Sequence, residues 1–338
     1  MRHFVIVGVL VILAAALTYF GLDAIGLMPV SASAQAGSPT QVGSIDWMWN
    51  LQVIAMSFLF ALIVIPLLYS LIVFRRRKGD TTDAEHIEGN TALEITWTII
   101  PLFTVIAFAY MGAYSLGKVR SVDPQAMVVN VTASQWAWSF EYPDYGIVSN
   151  ELHVPVDRQV LLRMQSRDVI HSFWVPEFRV KQDIVPGRVT ELRVTPTLAG
   201  IYKVRCAELC GTSHFSMEGP VVVSAEAEFA AWISEQQALA ATAPPEIKGE
   251  ALVKANGCLG CHSVDGTRLI GPTWRGLFGS QVQLSDGSTV AADEAFLTES
   301  IKEPSATIVA GFETQIMPVV PLTDEDIANI IAYLKTLK

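Results

Sequence analysis

The sequence predicts a membrane-anchored multidomain chain: a transmembrane helical hairpin, an all-β domain and a small all-α domain at the C-terminal end. Three observations carry that prediction. Two apolar runs flank a basic cluster, and each is longer than the about 20 residues that span a bilayer. A stretch of alternating apolar and polar residues comes after them, and the last segment ends in an apolar pattern of helical period. A chain of 338 residues is too long for one small domain, and a hydrophobic content of 51% with a mean hydropathy of +0.38 is high for a protein wholly in water.

The hairpin is placed at residues 47–116. Trp47 to Phe74 is almost free of charge and meets Arg75-Arg76-Arg77-Lys78, and Leu93 to Leu116 is similar once past Glu94. Pro66 and Pro101 lie inside these runs, which neighbouring helices tolerate in a membrane. Basic residues concentrate on the cytoplasmic side, so the cluster puts the loop between the helices there and the regions flanking the hairpin outside. Ahead of it, residues 1–36 read as a signal peptide or an additional membrane anchor. Phe4 to Leu22 comes after Arg2, and Ala32-Ser33-Ala34 and Ala34-Gln35-Ala36 suit cleavage near Ala34 or Ala36. The apolar run, however, is nearer to a spanning length than to a signal core. Residues 1–120 hold 7 basic and 7 acidic side chains, so the formal net charge of −10 belongs wholly to the rest. An acidic outer face attracts basic partners at long range and loses that pull in salt; simple solubility explains it equally well. No nucleic-acid partner is expected.

Residues 121–233 read as the all-β domain. Val129 and Val131, then Trp136, Trp138, Phe140 and Tyr142, alternate as half-buried strands do. Further strands are expected at Val160 to Met164, Val189 to Val194 and Ile201 to Arg205, with Pro, Gly and Asp turns between them, a spacing that suits a small sandwich or barrel. Residues 234–245, ending in Ala241-Thr242-Ala243-Pro244-Pro245, read as a linker that leaves the next domain some mobility. That domain, residues 246–338, closes with Thr323 to Leu334, where a Thr or Asp cap precedes apolar residues at helical spacing.

Chemistry concentrates in two places. In the run Cys206-Ala-Glu-Leu-Cys210-Gly-Thr-Ser-His214-Phe-Ser-Met217, two thiols, an imidazole and a thioether share one short loop. Thiolates and thioethers favour Cu(I), imidazole accepts both copper states, and a weak thioether accompanies copper held for electron transfer. Another strong ligand must come from elsewhere, and His171, in Asp168-Val-Ile-His171-Ser-Phe-Trp-Val-Pro, is the candidate. A Cys206–Cys210 disulfide would leave His171, His214 and Met217 unexplained. Zinc could use two Cys and two His but has no need of the methionine. A thioredoxin-like copper chaperone pairs C-x-x-x-C with a distant histidine but would not place His and Met directly after the second cysteine. The second place is Cys258-Leu-Gly-Cys261-His262, the C-x-x-C-H pattern of a covalent c-type haem with His262 as proximal iron ligand. Met317, the only methionine after Met217, offers a sixth ligand of the kind that raises a haem potential. All 4 cysteines are then assigned. His153 reads as a surface or strand-end residue.

These segments resemble the dinuclear copper (CuA) centre of subunit II of the haem-copper cytochrome c oxidases, over roughly Trp47 to Ile233, and most of the chain beyond Ile233 resembles a class I cytochrome c. The resemblance implies a cupredoxin-like Greek key for the all-β domain. It implies that Cys206 and Cys210 bridge both coppers, that His171 and His214 each bind one, that Met217 is a weak ligand and that Glu208 binds through its backbone carbonyl. Cys258, Cys261, His262 and Met317 would hold the haem, with Gly271-Pro272 supporting His262 through a carbonyl. Trp136, in Gln135-Trp136-Ala137-Trp138, matches the residue where electrons reach the copper; the family often has Tyr where Ala137 stands. Glu94 resembles a cytoplasmic glutamate at a proton-uptake path, and the Glu208 side chain a ligand of Mg2+ at the interface with subunit I.

The function so implied is electron relay in a proton-pumping terminal oxidase. Electrons would come from a donor (a cytochrome c, a small copper protein or an upstream complex), pass through haem c to CuA and leave for subunit I. Oxygen reduction falls to that partner, because none of the apolar runs here contains a histidine to hold haem iron. The expected location is the bacterial inner membrane, in the lipid bilayer beside subunit I and the other oxidase subunits, with both centres on the outer (periplasmic or extracellular) side.

Overall fold

The computed structural model describes residues 1–28, 42–83, 86–314 and 317–338. The cleavage positions near Ala34 and Ala36 lie outside the described residues. The chain forms two compact units, Met1–Ser121 and Val122–Lys338.

The first unit contains helices α1 (Arg2–Ala24), α2 (Val42–Val73) and α3 (Thr91–Val119), each long and apolar enough to cross a membrane. The run from Phe4 to Leu22 packs along α2: the His3 imidazole is hydrogen-bonded to the Tyr69 hydroxyl at 2.7 Å, while Thr18 and Leu22 line a cavity with Val53 and Met56. Pro66 and Pro101 sit inside α2 and α3 without ending them. The Asn90 side chain caps α3 by accepting from the Leu93 N–H at 3.1 Å, and the Glu94 carboxylate accepts from the Asn90 N–H at 3.3 Å. Both bonds satisfy groups that a helix start would otherwise leave orphaned.

The second unit begins as a sandwich of two five-stranded sheets. One has the order β3 (Ile147–Ser149), β2 (Ala137–Tyr142), β1 (Met127–Ser134), β5 (Val160–Ser166), β8 (Thr190–Val194). The other has the order β4 (Leu152–Pro155), β10 (Glu218–Ser224), β9 (Gly200–Cys206), β6 (His171–Val175), β7 (Val180–Ile184). The alternation puts Val129, Val131, Trp138, Phe140 and Tyr142 in the core between the sheets. Trp136 departs from that row. It lies in the turn between β1 and β2, half-buried, because β1 ends at Ser134 and β2 starts at Ala137. The arrangement is the cupredoxin-like one.

The expected linker at 234–245 is not a flexible tether. Helix α4 (Glu226–Thr242) runs through most of it, as its Ala- and Glu-rich sequence favours. Phe229 and Ile233, one turn apart, enter the sandwich core. Trp232 stacks on His153 with ring centroids 4.0 Å apart and planes at 5°, and Gln237 Nε2 donates to the Tyr145 carbonyl at 2.9 Å. Of the two places the sequence allows, His153 takes the strand end, as the second residue of β4, and lies half-buried under this helix. Only Ala243 and Pro244 separate α4 from α5 (Pro245–Ala255).

The remaining segment joins short helices by long loops and carries a small ribbon of β11 (Gln281–Gln283) and β12 (Thr289–Ala291). Its helices are α5, α6 (Glu294–Lys302) and α7 (Asp324–Leu334). Thr323 caps α7 as expected, accepting from the Asp326 N–H while the Asp326 carboxylate accepts from the Thr323 N–H. Helices α5 and α7 cross at Gly249, where an added Cβ would fall 2.0 Å from the Asn329 carbonyl oxygen. This is the fold of a small helical cytochrome c.

Candidate metal centres

Strand β6 delivers His171, strand β9 ends on Cys206, and the loop back to β10 carries Cys210, His214 and Met217. The donors converge. Sγ of Cys206 and Sγ of Cys210 are 3.7 Å apart; Nδ1 of His171 is 3.8 Å from the first sulfur, and Nδ1 of His214 is 3.4 Å from the second. Sδ of Met217 is 3.8 Å from Sγ of Cys210, and the backbone carbonyl of Glu208 turns in to 3.2 Å from Sγ of Cys206. Both thiols are free. Metal–sulfur and metal–nitrogen bonds of about 2.3 and 2.0 Å put donors on one ion about 3.3–3.8 Å apart, so this donor set fits soft metal without rearrangement. The Glu208 side chain itself is exposed.

Electrostatics favours the same chemistry. Burial opposes ionisation of Cys206, but hydrogen bonds from His171 and the neighbouring backbone bring its thiol down to about 6. Burial and that adjacent sulfur push the Cys210 thiol the other way. Asp168 is the residue that organises the surroundings. Its Oδ1 receives Nε2 of His171 at 2.8 Å, which leaves Nδ1 for the metal, and its Oδ2 accepts from the Gln135 N–H at 2.7 Å. Burial works against the Asp168 charge, yet these bonds and one from the Val169 N–H hold its carboxyl below the usual range. The turn thus fixed points back at the donors. Gln135 Nε2 and Trp136 Nε1 both donate to the Cys210 carbonyl, at 2.6 and 3.2 Å.

Farther along, a cavity of about 400 Å³ is lined by Cys258, Cys261, His262 and Met317 together with apolar side chains such as Leu297, Val309 and Ile330. His262 stands ready as an axial ligand: Nδ1 is hydrogen-bonded to the Pro272 carbonyl at 2.8 Å, and the ring stacks on Trp274 at 4.7 Å. A Cβ on Gly271 would fall 2.7 Å from that ring. A covalent haem would be held here through Cys258 and Cys261, with His262 and Met317 offering the imidazole and thioether for its iron. The sequence points to the four haem residues and the Pro272 carbonyl, but not to Trp274.

The structure therefore brings together His171, Cys206, Cys210, His214, Met217 and the Glu208 carbonyl as one cluster, places Trp136 against it, and gathers Cys258, Cys261, His262 and Met317 in a second. Glu94 stands apart in the first unit, at the start of α3. Sequence motifs alone do not pick out Asp168 or Gln135. An acidic residue three positions before a ligating histidine is the signal that finds Asp168; nothing local marks Gln135.

A membrane-anchored chain with a soft-metal cupredoxin site and a covalent-haem site is an electron-transfer protein. Family descriptions agree. "Cytochrome C oxidase subunit II, transmembrane domain" matches residues 27–116, "Cytochrome C oxidase subunit II, periplasmic domain" matches 146–226 and "Cytochrome c" matches 247–338. The chain is 35% identical to cytochrome c oxidase subunit 2 of Synechocystis sp., over 68% of this chain and 80% of that one. It is 31% identical to cytochrome c oxidase subunit 2 of Alkalihalophilus pseudofirmus, over 87% and 88%. Quinol oxidase subunit 2 of Bacillus spizizenii is 30% identical over 54% of this chain and 59% of its own. The chain belongs to the cytochrome c oxidase subunit II family and carries a cytochrome c domain fused behind the copper domain. The family implies CuA copper and the fused domain implies haem.

Proposed function

We propose that this chain carries electrons into a proton-pumping oxidase, from an outside donor to haem c, from haem c to CuA, and from CuA to subunit I. The observation that carries the reading is one contact: the haem-attachment loop lies on the turn of Trp136, and that turn is bonded to the carbonyl of Cys210. When bound, the two groups supply one-electron exchange without atom transfer, haem iron with its potential raised by a methionine ligand and copper held by soft donors.

The residues divide the work. Cys206 and Cys210 would hold both coppers, and His171 and His214, each against a different sulfur, would each hold one. Met217 and the Glu208 carbonyl complete it as weak donors. Trp136 places an aromatic ring between the loops of the two centres. The complete ligand set favours a cytochrome c oxidase over a quinol oxidase, whose subunit II has no copper to bind. The basic residues Arg75 to Lys78 support a cytoplasmic loop between α2 and α3, hence both centres on the outer side of a bacterial inner membrane. In the same reading Glu94 lies at a proton-uptake path, and the exposed Glu208 carboxylate is free to meet Mg2+ at the subunit I interface.

The test is a metal and spectral inventory of the full complex purified in mild detergent. Two coppers and one covalent haem per chain are expected, with reduction of haem preceding reduction of copper. One copper, or zinc in its place, overturns the reading.

A further inference from the structure

Two glycines of the haem-attachment loop, Gly257 and Gly260, stand on either side of Cys258 and both press on the turn at the mouth of the copper centre. A Cβ on Gly257 would fall 2.1 Å from Cβ of Ala137, and one on Gly260 would fall 3.4 Å from the backbone nitrogen of Trp136. No two non-bonded carbons approach as closely as the first pair, so position 257 has no room for a side chain while residue 137 is Ala. Seen from the other side, the half-buried Ala137 methyl faces the Gly257 backbone, so a larger side chain that extends it in that direction meets the haem-attachment loop. Gly257 also adopts φ +71°, which glycine accepts without strain. From the copper side the same turn is confined by Gly211, where a Cβ would fall 2.7 Å from Nε2 of Gln135 and 3.0 Å from Cζ2 of Trp136. The turn Gln135-Trp136-Ala137 is thus clasped between glycines of both metal-binding loops.

The haem domain is held to this face at other points as well. Helix α5 packs against β2 and β3, and only Ala243 and Pro244 join it to α4, which is itself anchored through Phe229, Trp232 and Gln237. A loop swinging on a long tether would not need so close a fit.

We propose that Ala137 and Gly257 are a size-matched pair that holds the fused haem in one docked pose over the copper centre and sets how near it comes to Trp136. This rests on the haem-to-copper relay proposed above. The step served is transfer of one electron from haem iron to the copper pair, with no atom or proton exchanged. Both residues are positioning residues: neither is a ligand, and each acts by the side chain it lacks. Ala137 is the informative one, because the family often carries Tyr there and a Tyr is compatible with the copper fold.

The experiment compares the whole oxidase complex carrying Ala137→Tyr, Ala137→Val or Ala137→Gly with the unaltered one. Flash reduction of haem c reads the haem-to-copper rate; optical spectra and midpoint potentials read each centre separately; amide hydrogen exchange at residues 135–137 and 257–261 reads docking. Tyr and Val are expected to leave both spectra and both potentials unchanged, to raise exchange in both segments and to slow haem-to-copper transfer. Gly is expected to match the unaltered complex. Unchanged transfer and unchanged exchange in Ala137→Tyr overturn the proposal. Copper reduced ahead of haem in the unaltered complex overturns the relay instead, and the exchange measurement then still decides the docked pose.

Discussion

Asp168 shows how much of a metal centre lies outside its ligands. Its carboxylate fixes the His171 ring through Nε2 and the Trp136 turn through the Gln135 N–H, at 2.8 and 2.7 Å. Removing such an outer partner commonly lowers metal affinity by about 10- to 100-fold. Asp168→Asn is therefore expected to retain the copper bands but to lose metal to a competing chelator at correspondingly lower concentration; affinity equal to that of the unaltered chain would make Asp168 a bystander. Met317 gives a parallel case at the haem. Met317→Ala is expected to leave haem attached through Cys258 and Cys261 while lowering its potential or turning the iron high-spin, and an unaltered spectrum and potential would assign the sixth position to another residue. Most of the residues that gather at the two sites were legible because their spacing is local: Cys206 to Met217 is one loop, and Cys258 to His262 is one turn; His171 and Met317 lie far from these motifs in the chain. Gln135 was not, since the Cys210 carbonyl it binds is 75 residues away.

The scale of whole elements is where the sequence misled. Pro244-Pro245 and the preceding alanines have the composition of a linker, and composition alone does not register that Phe229, Trp232 and Ile233 share one face of a helix. Trp232 settles against His153, and burial, opposed by a hydrogen bond to Glu151, holds His153 below its ordinary value. The groups facing the imidazole are the Trp232 ring and the Glu151 carboxylate. A histidine depressed in the fold takes up its proton more readily in the unfolded chain. Its contribution to stability is complete above about pH 6.5 and is lost as pH falls through the lower folded value. The melting temperature of the second unit is thus expected to decline on acidification below that point, and His153→Gln is expected to flatten this segment of the profile. An equal slope in both proteins would mean that other groups set it. The two helices of the hairpin and the longest strands, in contrast, were legible because their hydrophobic pattern repeats over many residues, whereas short strands such as β3 and β4 carry too few residues to show one.

At the scale of the molecule, no periodicity in the chain announces that Gly257 meets Ala137, residues 120 positions apart by their numbers. What the sequence did carry was the fusion, and a short tether alone would hold haem near copper at about millimolar effective concentration. The structure goes further and closes the gap, with α4 anchored on the sandwich and the haem-attachment loop seated on the turn of Trp136. A fused carrier so placed makes sense as the immediate donor to copper, with Trp136 in the gap and its indole N–H on the Cys210 carbonyl. Trp136→Ala is then expected to slow haem-to-copper transfer while both centres keep their spectra, because the indole is not among the proposed ligands and its loss leaves Gln135 still bonded to Cys210. After flash reduction of haem c the copper band should respond late in the variant and promptly in the unaltered complex. A copper band that responds first, or a variant with unaltered timing, removes Trp136 from the route and reverses or reroutes the flow.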